Sequence, residues 1–165
     1  MDPHGLRPAP KGGAAGLRRL GTGWKTQLPV FAAALWWGSL TTTGFVVVPT
    51  LFAHLATPAL AGQTAARLFT AQTWIAVACG LLLMFASRQG HEAAHMDWAQ
   101  GALVFVVAGV LLALLAEFAV APRIMARESL KLWHSVGSGM YVLQWLCAGA
   151  VLWKVSSQSR PAGPS

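Results

Sequence analysis

Charge is scarce in this chain. Of its 165 residues only 10% are Asp, Glu, Lys or Arg, while 55% are hydrophobic. Soluble domains carry about 25% charged residues. So little charge excludes an ordinary water-facing fold, and lipid is the place for the apolar surface. The length suits one domain. Acids are scarcer than bases: five Asp and Glu stand against twelve Lys and Arg, for a net charge of +7. The positive balance therefore comes from missing acids, and it does not indicate nucleic acid. Lys11, Arg18, Arg19 and Lys25 lie near one another, with no interleaved aromatic beyond Trp24. They read as a juxtamembrane basic segment drawn to anionic lipid.

Cysteine is nearly absent too. Cys79 and Cys147 each sit inside an apolar run. Two such residues make no disulfide framework and read as small packing residues. No stretch alternates with period two, which excludes a transmembrane β-barrel. The glycine-rich "KGGAAGLRRLGTG" has no following strand and lacks the Lys-Ser/Thr ending of a phosphate-binding loop. There is no Cys-x-x-Cys pair and no nucleophile elbow.

What is present is four long apolar runs. A membrane helix needs about 20 mostly apolar residues, and four windows qualify: 28–49, 65–86, 98–121 and 130–155. The expected fold is an all-α, integral membrane four-helix bundle. Asp97 with Gln100 three residues on resembles a capping box for the third helix. Pro49 and Pro122 fall at the far ends of the first and third helices, where proline ends or bends a helix. Residues 1–23 and 156–165, rich in Gly, Pro, Arg and Ser, read as disordered tails around a transmembrane domain over 24–155. The first apolar run is too long for a cleaved signal core, and its cleavage-like Ala59-Leu60-Ala61 lies beyond Pro49, so an uncleaved anchor is expected. Four spans put both termini and the middle loop on one face. That face carries eight Lys and Arg against four on the other, which places the termini in the cytoplasm of an inner membrane by the positive-inside rule.

One phrase is written twice. Residues 44–53 read "GFVVVPTLFA" and residues 117–126 read "EFAVAPRIMA", so Phe45, Pro49 and their neighbours recur as Phe118 and Pro122. The copies close helices that run the same way, and "ARLFTAQTW" is echoed by "SLKLWHSVG" in the helix after each. This pattern fits two duplicated helical hairpins with a pseudo-axis along the membrane normal.

"LWWGSLTTTGFVVVPTLFA", "AGQTAARLF", "FAVAPRI" and "LWHSVG", within residues 30–150, resemble the transmembrane protein 205-like domain family, four-helix membrane proteins of undefined activity. More loosely, W-x-G before P-x-x-F, and A-P-R at the third helix end, are similar to CopD-like membrane proteins. That similarity implies a haem or copper role, in which helix histidines would hold the group. Only His134 lies inside a span here.

The remaining signal is polar. Glu117 is an ionisable residue inside a span, which is a functional-site hypothesis by default. It lies about 7 Å from the end of its helix, and His134 about 6 Å from the same end of the fourth helix, at 1.5 Å per residue. Arg67 and Gln72 open the second helix, Thr41, Thr42 and Thr43 close the first, and Arg123 follows Pro122. Glu117 would therefore seek His134, Arg67 or Arg123. The plainer reading is that such a pair pins the bundle. The functional one is an outward pocket for an ion, metal or small ligand, formed by Glu117, His134, Arg67, Arg123 and Gln72. On the other face, His91-Glu92-Ala93-Ala94-His95 matches the zinc motif H-E-x-x-H. Catalytic zinc needs a third protein ligand, so His91 and His95 read first as solvated loop residues and only then as metal ligands.

The function expected is a small membrane module with that pocket, and not an enzyme. Its rivals are a structural or assembly subunit of a membrane complex, and a haem- or copper-linked redox protein. Its surroundings are the lipid bilayer and other membrane proteins.

Overall fold

The computed structural model describes residues 13–89, 96–126 and 129–158, with side chains over 27–88, 101–126 and 129–157. Among the described residues every regular element is helical. The order is α1 (Gly13–Thr42), a π-helical turn (Thr43–Val47), α2 (Val48–His54), α3 (Pro58–Gln89), α4 (Met96–Leu115), a second π-helical turn (Ala116–Val120), α5 (Ala121–Met125) and α6 (Leu130–Gln158). Four helical stretches are long and apolar enough to cross a membrane: Gln27–His54, Pro58–Arg88, Gly101–Met125 and Leu130–Ser157. The helical backbone begins at Gly13, earlier than the tail boundary at residue 23. The H-E-x-x-H segment lies outside the described residues.

Both prolines are crossed without ending their helices, and the backbone shows how. A helical proline has no N–H, and its ring meets the carbonyl four residues back. Those carbonyls belong to Phe45 and Phe118. One extra residue enters the turn before each proline. Val48 N–H reaches back five residues to Thr43 C=O, and Ala121 N–H to Ala116 C=O. The chain then continues as α2 and α5. The second span also starts earlier than residue 65. Thr57 caps α3, its hydroxyl accepting from Leu60 N–H at 3.2 Å, with Pro58 at the first helical position.

The helices close a ring, with α1 and α4 each packed on both α3 and α6. Trp36, Leu40 and Val151 are the largest fully buried side chains. Small residues let the backbones approach: Ala33, Ala76, Ala113 and Ala148 join this core. Gly109 is required where it stands, because a Cβ there would lie 2.7 Å from the Trp36 ring. Large apolar side chains such as Phe31, Phe85, Val104 and Trp153 point outward. That inverted surface is what lipid demands. The 55–57 connection, the end of α5 and the start of α6 share one end of the bundle, called the loop end below. The start of α1, the ends of α3 and α6 and the start of α4 lie toward the other.

Candidate functional site

The two π turns sit near the loop end, and each is tied to the first half of α3. Gln72, 4% exposed, donates from Nε2 to Ser39 Oγ at 2.9 Å, and Thr43 approaches its Oε1 at 3.4 Å. Ser39 passes its own proton to Trp36 C=O at 2.9 Å. From the other side, α6 reaches α1. Tyr141 donates its hydroxyl to Leu40 C=O at 2.7 Å, and Trp145 Nε1 donates to Thr41 Oγ1 at 2.9 Å. Gly44 makes room for this contact, since a Cβ there would stand 2.4 Å from Tyr141 Cε1. The polar groups at the first π turn are thus used internally, as bundle-pinning hydrogen bonds.

The second π turn differs. Glu117 is half-buried in the groove between α3 and α4, and Thr70 donates its hydroxyl to Glu117 Oε1 at 2.8 Å. Thr70 is itself on the exposed stripe of α3, with Arg67 one turn before it and Trp74, 58% exposed, one turn after. The acid therefore meets the exposed stripe of α3 rather than the buried core of the bundle. A carboxylate offers about four acceptor positions. Among the described residues Glu117 fills one of them and makes no ion pair.

The residues expected around it are at the right depth but do not close on it. His134 is exposed and makes no hydrogen bond or ion pair among the described residues. Arg67 is likewise exposed and unpaired there. Arg123 turns away, donating to Ala119 C=O at 2.7 Å and lying 4.5 Å from the centre of the Trp133 ring. Gln72 faces α1 instead. Phe45 packs edge-on against Trp145, and Phe118 is 66% exposed beside Glu117.

Thr70, the one donor to Glu117 among the described residues, is not one of the expected partners. Its signal in the sequence is its place one helical turn after Arg67. Gln144 is a second polar residue hidden in an apolar run. It is 4% exposed, and its Nε2, like Trp36 Nε1, is buried with no acceptor among the described residues.

Among the described residues no group of three or more His, Cys, Asp or Glu could hold a metal ion. Of the described histidines, His54 bonds its own helix through Thr50 C=O and His134 stands exposed near the loop end. Cys79 and Cys147 are free and buried. His91 and His95 lie outside the described residues.

No curated protein matches the chain, and no solved structure matches it. A family model does match, over residues 31–132, which holds the first three spans, both π turns and the opening of α6. The transmembrane protein 205-like and CopD-like resemblances rest on the quoted motifs alone. The matched stretch is more than half of the 165 residues, and the chain belongs to the family described as "Domain of unknown function (DUF4149)".

Proposed function

We propose that this membrane protein is an assembly module whose α3–α4 face receives a second transmembrane element at Glu117. One observation carries the reading: an acid within a span meets an exposed helix stripe and has, among the described residues, a single donor, Thr70. Ionisable residues in spans nearly always face protein or water, because a charge costs about 2.5–3.5 kcal/mol at a helix centre on insertion scales, and Glu117, nearer the end of its span, bears a smaller share of it. A partner that brings an N–H or a cation to Glu117 removes that cost. A photoreactive side chain in place of Trp74 tests this in native membranes. The expected result is a protein adduct of defined mass, lost on Glu117→Leu. Adducts to lipid alone would contradict the proposal.

A second reading keeps Glu117 as an ion site. Glu117 Oε1 and Thr70 Oγ1 lie 2.8 Å apart, two oxygens of the kind hard cations take. It requires a cation that raises the melting temperature of the wild type in nanodiscs and leaves Glu117→Gln unmoved. We also propose that the protein arose by duplication of a hairpin. In support, the π turns at 43–47 and 116–120 stand 73 residues apart, as do the two copies of the phrase. A bacterial inner membrane with cytoplasmic termini is the proposed setting, supported by the charge count.

A further inference from the structure

The outward acid has a counterpart on the same face. Arg67 lies three residues before Thr70 on the exposed stripe of α3, so it stands about 4.5 Å nearer the loop end at 1.5 Å per residue. It is unpaired among the described residues, although Glu117 is held by Thr70 next door. One patch thus carries, among the described residues, an unpaired guanidinium and a carboxylate that has a hydrogen bond but no ion pair, at nearly one depth. Their charges are opposite, so the patch is complementary to itself. Two copies inserted in the same orientation can be related by a two-fold axis along the membrane normal. Such an axis sets the same patch against itself, with residue i meeting j and j meeting i.

We infer that the partner at Glu117 is a second copy of this chain. Arg67 of each copy reaches Glu117 of the other, and Thr70 and Trp74 line the contact. The inference rests on the assembly reading and adds the identity of the partner. The guanidinium suits the task. Its fork of donors matches a carboxylate, and it is more weakly hydrated than an ammonium. Its long stem lets it span the offset of one turn. Inside one chain the same pair stays unmade, which leaves both groups for the neighbour.

The test is a charge exchange read by mass in nanodiscs and by chemical crosslinking in membranes. Wild type is expected as a dimer. Arg67→Glu alone and Glu117→Arg alone each set like charges together and should be monomers. The chain carrying both should be a dimer again. Mixing the two single variants should give a heterodimer, which a pair formed within one chain cannot produce. If the reversed charges keep either chain out of the membrane, Arg67→Gln and Glu117→Gln take their place, and both should lose the dimer. A monomeric wild type overturns the inference, as do dimers that persist in the single variants. A monomer whose melting temperature is rescued by the double exchange would place the pair within one chain, and that too overturns it. A Trp74 adduct that depends on Glu117 but has the mass of a different protein overturns the second copy and leaves the assembly reading standing. Absence of any protein adduct removes both.

Discussion

Tyr141 of α6 donates its hydroxyl to the backbone carbonyl of Leu40 in α1, 2.7 Å away. The ring lies against Gly44, in the first π turn. A carbonyl inside a span has no water to turn to. The phenol supplies that carbonyl with a donor just before the widened turn begins at Thr43. It also holds the first span against the last.

Two substitutions separate the hydroxyl from the ring. Tyr141→Phe removes one hydrogen bond and should lower stability by about 1 kcal/mol. Gly44→Ala should cost more, since its Cβ would stand 2.4 Å from the ring. In a Tyr141→Leu background the penalty of Gly44→Ala should shrink, because the obstructing ring is gone. Thermal melts in detergent give the cycle. Equal penalties in both backgrounds would mean that the contact does not form.

Gly109→Ala probes the bundle centre. Its Cβ would meet Trp36 at 2.7 Å, and Trp36 is fully buried with little room to move. Overpacking of this kind costs about 1–3 kcal/mol. Gly38 has nothing within 4 Å of its Cβ position, so Gly38→Ala should be neutral or mildly stabilising and serves as the control. The melting temperatures of the two variants should separate clearly, with Gly109→Ala the lower.

The number of spans and their helical character were legible in the sequence, because apolar length alone marks a span. Boundaries were less so. Pro49 and Pro122 read as ends, yet a π turn absorbs each proline and the helix goes on. Thr57-Pro58 carried a readable start signal for α3, a capping hydroxyl before a proline at the first position. The polar cluster was half legible. Counting residues from the helix ends gives depth, and it placed Glu117, His134 and Arg67 at one level. It does not give the direction in which a side chain faces. A span that is apolar nearly all round has no strong polar face to reveal that angle. So Thr70 went unseen as the donor, and Arg123 and His134 were expected where they do not reach.

Pro122 gives the turn around Glu117 its reason to widen. Pro122→Ala restores an N–H and removes the ring that meets Phe118 C=O. If the turn then reverts to α-helix, the residues on its two sides rotate relative to one another by about 100°. The Thr70–Glu117 bond should weaken. In the wild type, Thr70→Val should lower the melting temperature. In the Pro122→Ala background it should change little. A full effect of Thr70→Val in both backgrounds would show that the turn does not depend on the proline.

The proposed orientation rests on charge. With eight Lys and Arg on the face of the termini and four on the other, a reporter fused after Ser165 should be active only in the cytoplasm. Activity on the far side would invert the bundle and put Glu117 near the cytoplasmic surface.

Disulfide trapping between copies reads the proposed face most directly. Ala71 is exposed beside Thr70 on α3, and Leu143 is 50% exposed on α6. Each is changed to Cys in a chain whose Cys79 and Cys147 have been replaced by Ala, and membranes are oxidised before electrophoresis. Ala71→Cys should give a covalent dimer, and Leu143→Cys should stay monomeric. The Ala71→Cys dimer should vanish when Glu117→Arg is added and return when Arg67→Glu joins it. No dimer through Ala71→Cys, or one through Leu143→Cys alone, would contradict the claim that the α3–α4 face is where the protein assembles.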